Sequence, residues 1–373
     1  IIKTQQIIKF QLKKLILKNY RNYKNFEYNF KSNKTLIIGK NAQGKTNILE
    51  AVYLCGTTKS HRGSRDKDMI RFGEDESHIR MIVRKQDVPY RIDMHLKKNR
   101  AKGIAVNEVP IKKASELFGI VNFVCFSPED LNMVKNGPAE RRRFLNVELC
   151  QINRLYMDDL TKYNKILEQR NRTLKDLQFR RDYQDMLDIW DEQLLFFGSR
   201  IIEEREKFLG YLNEIVRDIH GSLTNKNEHI ELIYEPDTTK NDFSIKLREA
   251  RDRDTHMKST TVGPHRDDFA IRVNDIDIRR FGSQGQQRTS ALSIKLSEIE
   301  ILKQKTKDTP ILLLDDVLSE LDSNRQNYLL KSISHIQTLI TCTGLDDFIE
   351  NRFPINQVYE VISGHVKERK QEE

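Results

Sequence analysis

Apolar and polar positions alternate over Leu12–Leu17 and again over Phe26–Phe30. That is the period-two rhythm of half-buried strands, and it predicts an opening sheet. Thr35–Ile38 is a short β-rich run. From Thr46 the rhythm changes: Ile48, Leu49, Val52 and Tyr53 recur at helical spacing to Leu54, and Gly56 closes the predicted helix. Between Thr57 and Cys125, alternating runs such as Ile79–Val83 and Tyr90–Leu96 predict a β-rich lobe. Ala139–Glu235 contains no proline. Leu160, Tyr163, Leu167, Leu174 and Leu177, then Leu187, Trp190, Leu194, Phe197 and Ile201, keep a heptad-like rhythm. Two long antiparallel helices with charged outer faces follow from it. Pro236–Ser259 reads as a loop-rich return. Ser290–Leu302 is a helix with Leu292, Leu296 and Ile299 on one side, and Ile311–Leu314 is short and apolar enough for a buried parallel strand. Leu321–Ile333 reads as a helix and Thr338–Thr343 as a β-rich run. Ile1–Phe10 precedes the first patterned segment and is set aside.

One loop carries most of the chemistry. Gly39-Lys40-Asn41-Ala42-Gln43-Gly44-Lys45-Thr46 matches G-x-x-x-x-G-K-[ST] and sits between a predicted strand and a predicted helix. Its glycines let successive N–H groups curl around a phosphate, and the helix N-terminus adds partial positive charge. The stretch Gly39–Asn47 is the expected ATP site. Lys45 reaches the β- and γ-phosphates, and the Thr46 hydroxyl holds Mg²⁺. A second metal carboxylate belongs at the end of a neighbouring strand, and Ile311-Leu312-Leu313-Leu314-Asp315-Asp316 supplies it. Asp315 shares Mg²⁺ with Thr46, and Asp316 orients the attacking water.

Most of the chain lies between Lys45 and Asp315, far more than a compact nucleotide domain needs. It must leave that domain and return, so inserted pieces are expected. The expected division is 11–138 with the P-loop and β-rich lobe, 139–260 as a helical insert, and 261–373 as the returning half. Ser283-Gln284-Gly285-Gln286-Gln287 opens the helix before the Asp315 strand. It is a second helix N-terminus with free N–H groups. Alone it is a loop with a helix cap. Beside a P-loop it reads as a signature turn lent in trans, each of two chains closing the other's ATP site. Ser319-Glu320-Leu321-Asp322 is expected at that seam.

Composition narrows the class. The chain has 373 residues, with 64 Lys+Arg against 55 Asp+Glu and a net charge of +9. At ~150 residues per domain that is room for two domains. A charged fraction of 32% beside 38% hydrophobic residues fits a folded soluble protein and excludes a membrane or disordered class. No apolar stretch approaches the ~18–20 residues a membrane helix needs. No export leader is seen, so a cytoplasmic location is expected. Cys55, Cys125, Cys150 and Cys342 lack paired spacing and read as thiols rather than a disulfide frame or zinc site. The basic surplus suggests an anionic partner.

These residues resemble the ABC-type ATPase heads of the SMC-like DNA repair proteins. Beyond the P-loop and the two aspartates, the resemblance rests on Leu17–Tyr23, Phe126–Leu131, Arg141–Phe144, Gly263–Asp268, Ser283–Arg288 and Leu312–Asp322. They occur in the family's order from about Leu12 to Gly344. Asn136 and Asn146 depart from its pattern. Relative to transporter ATPases, Asp316 replaces a glutamate and Thr343 a switch histidine. The fold implied is α/β: a P-loop ABC-type ATPase head with a β-rich lobe and an inserted antiparallel helical, short coiled-coil-like domain. The resemblance also implies an ATP-dependent homodimer that clamps DNA with weak ATPase activity. For the recombination mediators of the group it implies work beside RecO and RecR, loading of the RecA recombinase onto gapped DNA, replication restart and the SOS response.

DNA binding needs clustered cations. Lys97, Lys98, Arg100 and Lys102, followed by Lys112 and Lys113, form the densest run. Lys59, His61, Arg62 and Arg65 form another, and Arg141–Arg143 a third. No base-reading motif is present, so backbone recognition of single-stranded, gapped or duplex DNA with low sequence preference is expected. His265-Arg266-Asp267-Asp268 reads as a turn held by ion pairs. Tyr20 and Tyr23 are open to two readings, core residues or adenine-stacking rings. Two other classes remain: an SMC-like structural ATPase bridging DNA, which needs a longer coiled coil, and a transporter ATPase subunit, which the missing switch histidine disfavours.

Overall fold

The computed structural model describes residues 10–31, 33–113, 116–176, 184–344, 355 and 357–369. They fall into two compact units. Leu131–Ser297 forms one, and the chain before and after it forms the other.

The first unit opens with β1 (Phe10–Tyr20) and β2 (Tyr23–Asn29), an antiparallel pair. Phe10 is already a buried strand residue. The inward set Phe10, Leu12, Leu15, Leu17 skips an extra position after Leu12, where a register shift absorbs it. β3 (Lys34–Ile38) is buried along its whole length, as a central parallel strand requires. α1 (Lys45–Thr57) runs through Gly56 rather than ending there. Gly56 serves packing: a Cβ on it would lie 2.1 Å from the Phe123 ring. Thr58, at φ +61°, is the residue that ends the helix. β4 (Glu76–Lys85), β5 (Val88–Lys97), β6 (Arg100–Val106) and β7 (Val109–Pro110) continue the predicted β-rich lobe. They extend the first pair into a six-stranded sheet ordered β2-β1-β4-β5-β6-β7. β8 (Phe123–Phe126) belongs to a different sheet.

The second unit contains α2 (Leu131–Lys135), α3 (Pro138–Ile152), α4 (Arg154–Asp176) and α5 (Gln184–Leu223). β9 (Ile230–Glu235), α6 (Phe243–Glu249), α7 (Arg251–Met257), β10 (Asp268–Val273), β11 (Ile276–Asp277) and α8 (Ile278–Phe281) follow. α9 (Gln284–Thr306) leaves this unit at Ser297. The chain then returns through β12 (Ile311–Asp315), α10 (Ser323–Ser332), β13 (Thr338–Cys342), β14 (Gln357–Ile362) and β15 (His365–Arg369). The second sheet of the first unit is ordered β15-β14-β3-β13-β12-β8, and only β15 runs antiparallel to its neighbour.

The expected boundaries at 138 and 260 shift to 130 and 297. The second shift has a plain cause. β10 pairs with β9 along its length, so Pro236–Ser297 stays with the helical unit. The stretch read as a loop-rich return holds two short helices, with Phe243, Leu247, Ala250 and Asp254 buried. One of those positions is charged, which hid the period.

α4 and α5 are antiparallel. Partners step back along α5 as they advance along α4: Asn153 with Glu204, Asp159 with Arg200, Arg170 with Asp191, and Thr173 with Trp190. Leu177 lies outside the described residues. Tyr163 and Leu174 are buried as the heptad reading requires, but Leu160 and Leu167 are half-buried while Asp159 and Arg170 are buried. An apolar count cannot see a buried arginine whose partners lie elsewhere in the chain. Arg170 donates to Asp191 at 2.6 Å, to Asp254 at 2.6 Å and to Thr260 at 2.9 Å. Arg205 does the same work around the Gly263–Asp268 turn, donating to Asp267 at 2.7 Å, Pro264 O at 2.6 Å and Asn146 at 2.9 Å. Arg141 holds Asp268 through two parallel bonds of 2.6 and 2.9 Å, and Arg142 donates to Asp267 O. Two arginines of the third basic run therefore hold the fold. His265 is also structural: Nε2 donates to Thr260 O, which leaves Nδ1 to accept from Tyr163 Oη at 2.7 Å.

Asp254 is fully buried and depends on Arg170. Arg170→Met should destabilise the helical unit by about 3–5 kcal/mol, because it strands a buried carboxylate. Urea unfolding followed by circular dichroism measures this, and a midpoint within error of the parent would refute it.

Candidate functional site

The P-loop leaves the C-terminal end of β3 and enters α1, and its shape is imposed from behind. A Cβ on Gly39 would sit 2.5 Å from Val361 O. Gly44 has φ +114°, and a Cβ there would sit 2.5 Å from the Asn22 side chain. Both glycines are required by close approach as well as by conformation. The β1–β2 turn draws the loop's carbonyls back. Asn22 Nδ2 donates to Gln43 O at 2.8 Å, and Tyr23 Oη donates to Gly44 O at 3.0 Å. Asn47 Nδ2 donates to Asn22 Oδ1 at 2.9 Å, and Gln43 Oε1 accepts from Ser363 N at 2.5 Å. Carbonyls engaged on the back of the loop leave its amides for an anion. Asn41–Asn47, Arg62 and Asp316 line a cavity of about 320 Å³. Lys45 is nearly buried, and its Nζ donates to Gly39 O at 2.6 Å and Lys40 O at 3.1 Å.

The two predicted metal ligands meet. Thr46 Oγ1 donates to Asp315 Oδ1 at 2.9 Å. Thr341 Oγ1 donates to the same oxygen at 2.7 Å, and His61 Nε2 lies 3.9 Å from Oδ2. Burial alone would raise the Asp315 pKa, but the neighbouring His61 ring and the hydrogen bonds from Thr341 and Thr46 hold it below the usual carboxylate range. Oxygen donors suit Mg²⁺, and ~2.9 Å is the spacing of adjacent corners of an octahedron with arms of about 2.05 Å. Thr46 and Asp315 therefore fit that ion. Asp316, at φ +56°, breaks away from the strand into the cavity lining. Burial, with Asp315 and Glu320 nearby, pushes its carboxyl up, and only Lys45 opposes. The two adjacent carboxyls are thus shifted in opposite directions, Asp315 down and Asp316 up.

Sequence reasoning missed the scaffold under the loop. Glu50 on α1 is fully buried and grips Arg21 through bonds of 2.7 and 2.8 Å. Ser60 Oγ donates to Glu50 at 2.5 Å, which ties down the segment carrying His61 and Arg62. Tyr20 Oη donates to Glu50 at 3.2 Å. Tyr20 and Tyr23 have no exposed surface, so they are core and braces, not adenine-stacking rings. In the sequence, Asn22 and Arg21 stand out only through the resemblance over Leu17–Tyr23. The usable signal was a polar Arg-Asn between two tyrosines at a strand turn.

The cationic residues divide. Arg62 lines the nucleotide cavity rather than a separate surface. Arg65, Lys98 and Arg100 are exposed, and Lys97 is half-exposed. Lys102 is anchored, donating to Thr58 O at 2.6 Å and Asp66 at 2.8 Å.

The signature turn lies in the helical unit. Ser283 Oγ accepts from Gln286 N at 3.2 Å, and Gln286 Oε1 accepts from Ser283 N at 3.0 Å. This reciprocal pair is a capping box. Gln286 also donates to Glu228, and buried Gln287 donates to Ile278 O at 2.9 Å. The cap thus anchors the turn while Ser283, Gln284 and Gly285 remain exposed.

Residues 11–364 match the family model described as the RecF/RecN/SMC N terminal domain. A protein of Agathobacter rectalis named DNA replication and repair protein RecF is 59% identical, covering 95% of this chain and 98% of its own. One of Lachnospira eligens with the same name is 58% identical over 94% and 97%. The solved structure of a recombination mediator, RecF bound to ATP in the RecFOR pathway, is 36% identical, with a TM-score of 0.90 over 97% of this chain and 98% of that one. The Smc head domain from Pyrococcus furiosus, 17% identical with a TM-score of 0.55, shares the fold.

Asn22→Ala removes both of its side-chain bonds to the loop. At about 1 kcal/mol each, ATP affinity should fall roughly five- to thirtyfold without unfolding. Titration with a fluorescent ATP analogue, beside a melting curve, tests this; unchanged affinity would remove the brace.

Proposed function

The chain belongs to the RecF branch of the RecF/RecN/SMC family of DNA replication and repair ATPases, and we propose that it is an ATP-driven clamp on single-stranded or gapped DNA. The observation that carries the reading is the Thr46–Asp315 pair at the base of the P-loop. ATP binds across Gly39–Asn47. Lys45 holds the β- and γ-phosphates, and Thr46 and Asp315 hold Mg²⁺, which when bound neutralises charge on the phosphate oxygens. Asp316 orients the attacking water and accepts its proton. Its raised pKa supports that role.

Ser283–Gln287 of a second copy closes the site, so ATP joins two heads. The exposure of Ser283–Gly285 on a rigid cap supports a role toward an outside phosphate. Hydrolysis is weak and times release of the clamp. Phosphate contacts from Lys97, Lys98, Arg100 and Arg65 give low sequence preference. RecO and RecR are the proposed partners, supported by the RecFOR pathway of the solved relatives, and the output is recombinase loading and SOS induction. Among the described residues no helix is long and apolar enough to cross a membrane. α4 and α5 have 23 and 40 residues. At ~1.5 Å per residue the longer spans roughly 60 Å, short for a chromosome-bridging coil.

Lys45→Ala should weaken ATP binding by about tenfold or more, through loss of a charge-assisted bond. Ser283→Arg should leave ATP affinity within about twofold, since the turn acts on the partner's nucleotide, yet abolish ATP-dependent dimerisation. Sedimentation velocity with and without ATP and DNA reads both. A parent chain that sediments identically with and without ATP would eliminate the clamp.

A further inference from the structure

The outer face of the β1–β7 sheet carries a constellation that the nucleotide chemistry does not use. Strand alternation turns Ser77, Ile79 and Met81 inward and leaves Glu76, His78 and Arg80 outside. On β5, Asp93, His95 and Lys97 share that outer face. Antiparallel register sets His78 directly opposite His95. Their rings stack at 4.0 Å between centroids. Register also sets Glu76 opposite Lys97, an available ion pair. The Glu76 carboxylate instead lies diagonally against the histidines: Oε2 is 2.8 Å from His95 Nε2 and Oε1 is 3.7 Å from His78 Nε2. One ligand atom from each residue lies within 4.8 Å of the others.

We propose that Glu76, His78 and His95 form a binding site for a divalent transition-metal ion, Zn²⁺ foremost. Two imidazole nitrogens and one carboxylate are the donors that Zn²⁺ prefers, whereas Mg²⁺ and Ca²⁺ select oxygen sets. A tetrahedral ion with arms of about 2.0–2.1 Å needs donors ~3.3 Å apart. One carboxylate oxygen lies near each imidazole, and one donor atom from each residue already lies within 4.8 Å of the others, so side-chain rotations that bring them closer complete the site. The backbone is already arranged. Cross-strand pairing fixes the two histidines, and Glu76 stands two residues from His78 on the same face.

Room for a fourth ligand exists beside the rings. Gly103 is the cross-strand neighbour of His95 and has no side chain. A groove of about 510 Å³ there is lined by His78, His95, Gly103 and Ile104 among others. The fourth position takes water or a donor atom from outside the chain. Lys18, the neighbour of His78 on β1, opposes a cation, and the Glu76 carboxylate offsets it. The competing account is a simple ion pair between Glu76 and protonated His95, which binds no metal.

The test uses the full chain, free of any added histidine tag, stripped with EDTA and kept in excess Mg²⁺ to fill oxygen-donor sites. ZnCl₂ is titrated by calorimetry, and CoCl₂ by visible absorption. The expected result is one Zn²⁺ equivalent and four-coordinate cobalt bands. His78→Ala and His95→Ala should each weaken binding by about tenfold or more, and Glu76→Gln should also weaken it. All three positions are partly or largely exposed, so the melting temperature and ATP affinity of the variants should match the parent. In the parent alone, Zn²⁺ should raise the melting temperature. No stoichiometric binding by the parent, or equal affinity in the His78→Ala/His95→Ala double variant, would overturn the site.

Discussion

Thr46 and Asp315 are 269 positions apart in the chain, yet their side-chain oxygens meet at 2.9 Å. Thr46 opens α1 after β3 and Asp315 ends β12, and these two strands are not neighbours, because β13 lies between them. Parallel register aligns Ile37, Thr341 and Asp315 in one row. Thr341 on the middle strand then donates to the Asp315 oxygen that Thr46 also uses. A one-residue slip would turn Asp315 to the opposite face of the sheet. Leu312–Leu314, Leu339 and Ile340 make no contact with chemistry, but their complete burial holds β12 and β13 in the sheet that carries Asp315.

The same economy holds behind the P-loop. A loop rich in amides aimed at phosphate needs its carbonyls engaged elsewhere, and a turn between two strands supplies the donors. Glu50 then connects that turn, α1 and the His61–Arg62 segment through a single buried carboxylate. A change at Arg21 or Glu50 therefore reaches the nucleotide cavity without touching it.

In the helical unit the organising contacts are buried charges. Arg170 and Arg205 are nearly without exposed surface; Arg170 satisfies Asp191 and Asp254, and Arg205 satisfies Asp267, all distant in the chain. Their geometry specifies one packing of α4, α5, α7 and the Gly263–Asp268 turn more sharply than apolar contacts alone would. The price is vulnerability, since each carboxylate is tolerable inside only while its arginine stays.

The P-loop, Asp315, the β-rich lobe and the long helices were legible because local patterns declare them: period two, helical spacing, and a motif whose residues are adjacent in the chain. The extra strands β14 and β15 and the short helices α6 and α7 were not, because each is brief and is held by tertiary pairing. Arg62, Lys102 and Arg141 looked alike as surface cations, and only folding assigned them to a cavity, an anchor and a buried pair. Chain order by itself laid out the P-loop, since the backbone geometry that cradles phosphate is local. Tertiary structure alone decided that Asp315 meets Thr46 at hydrogen-bond distance and which arginines turn inward. It also brought Glu76 beside two histidines, because those meetings depend on strand register and burial, which no short stretch of sequence encodes.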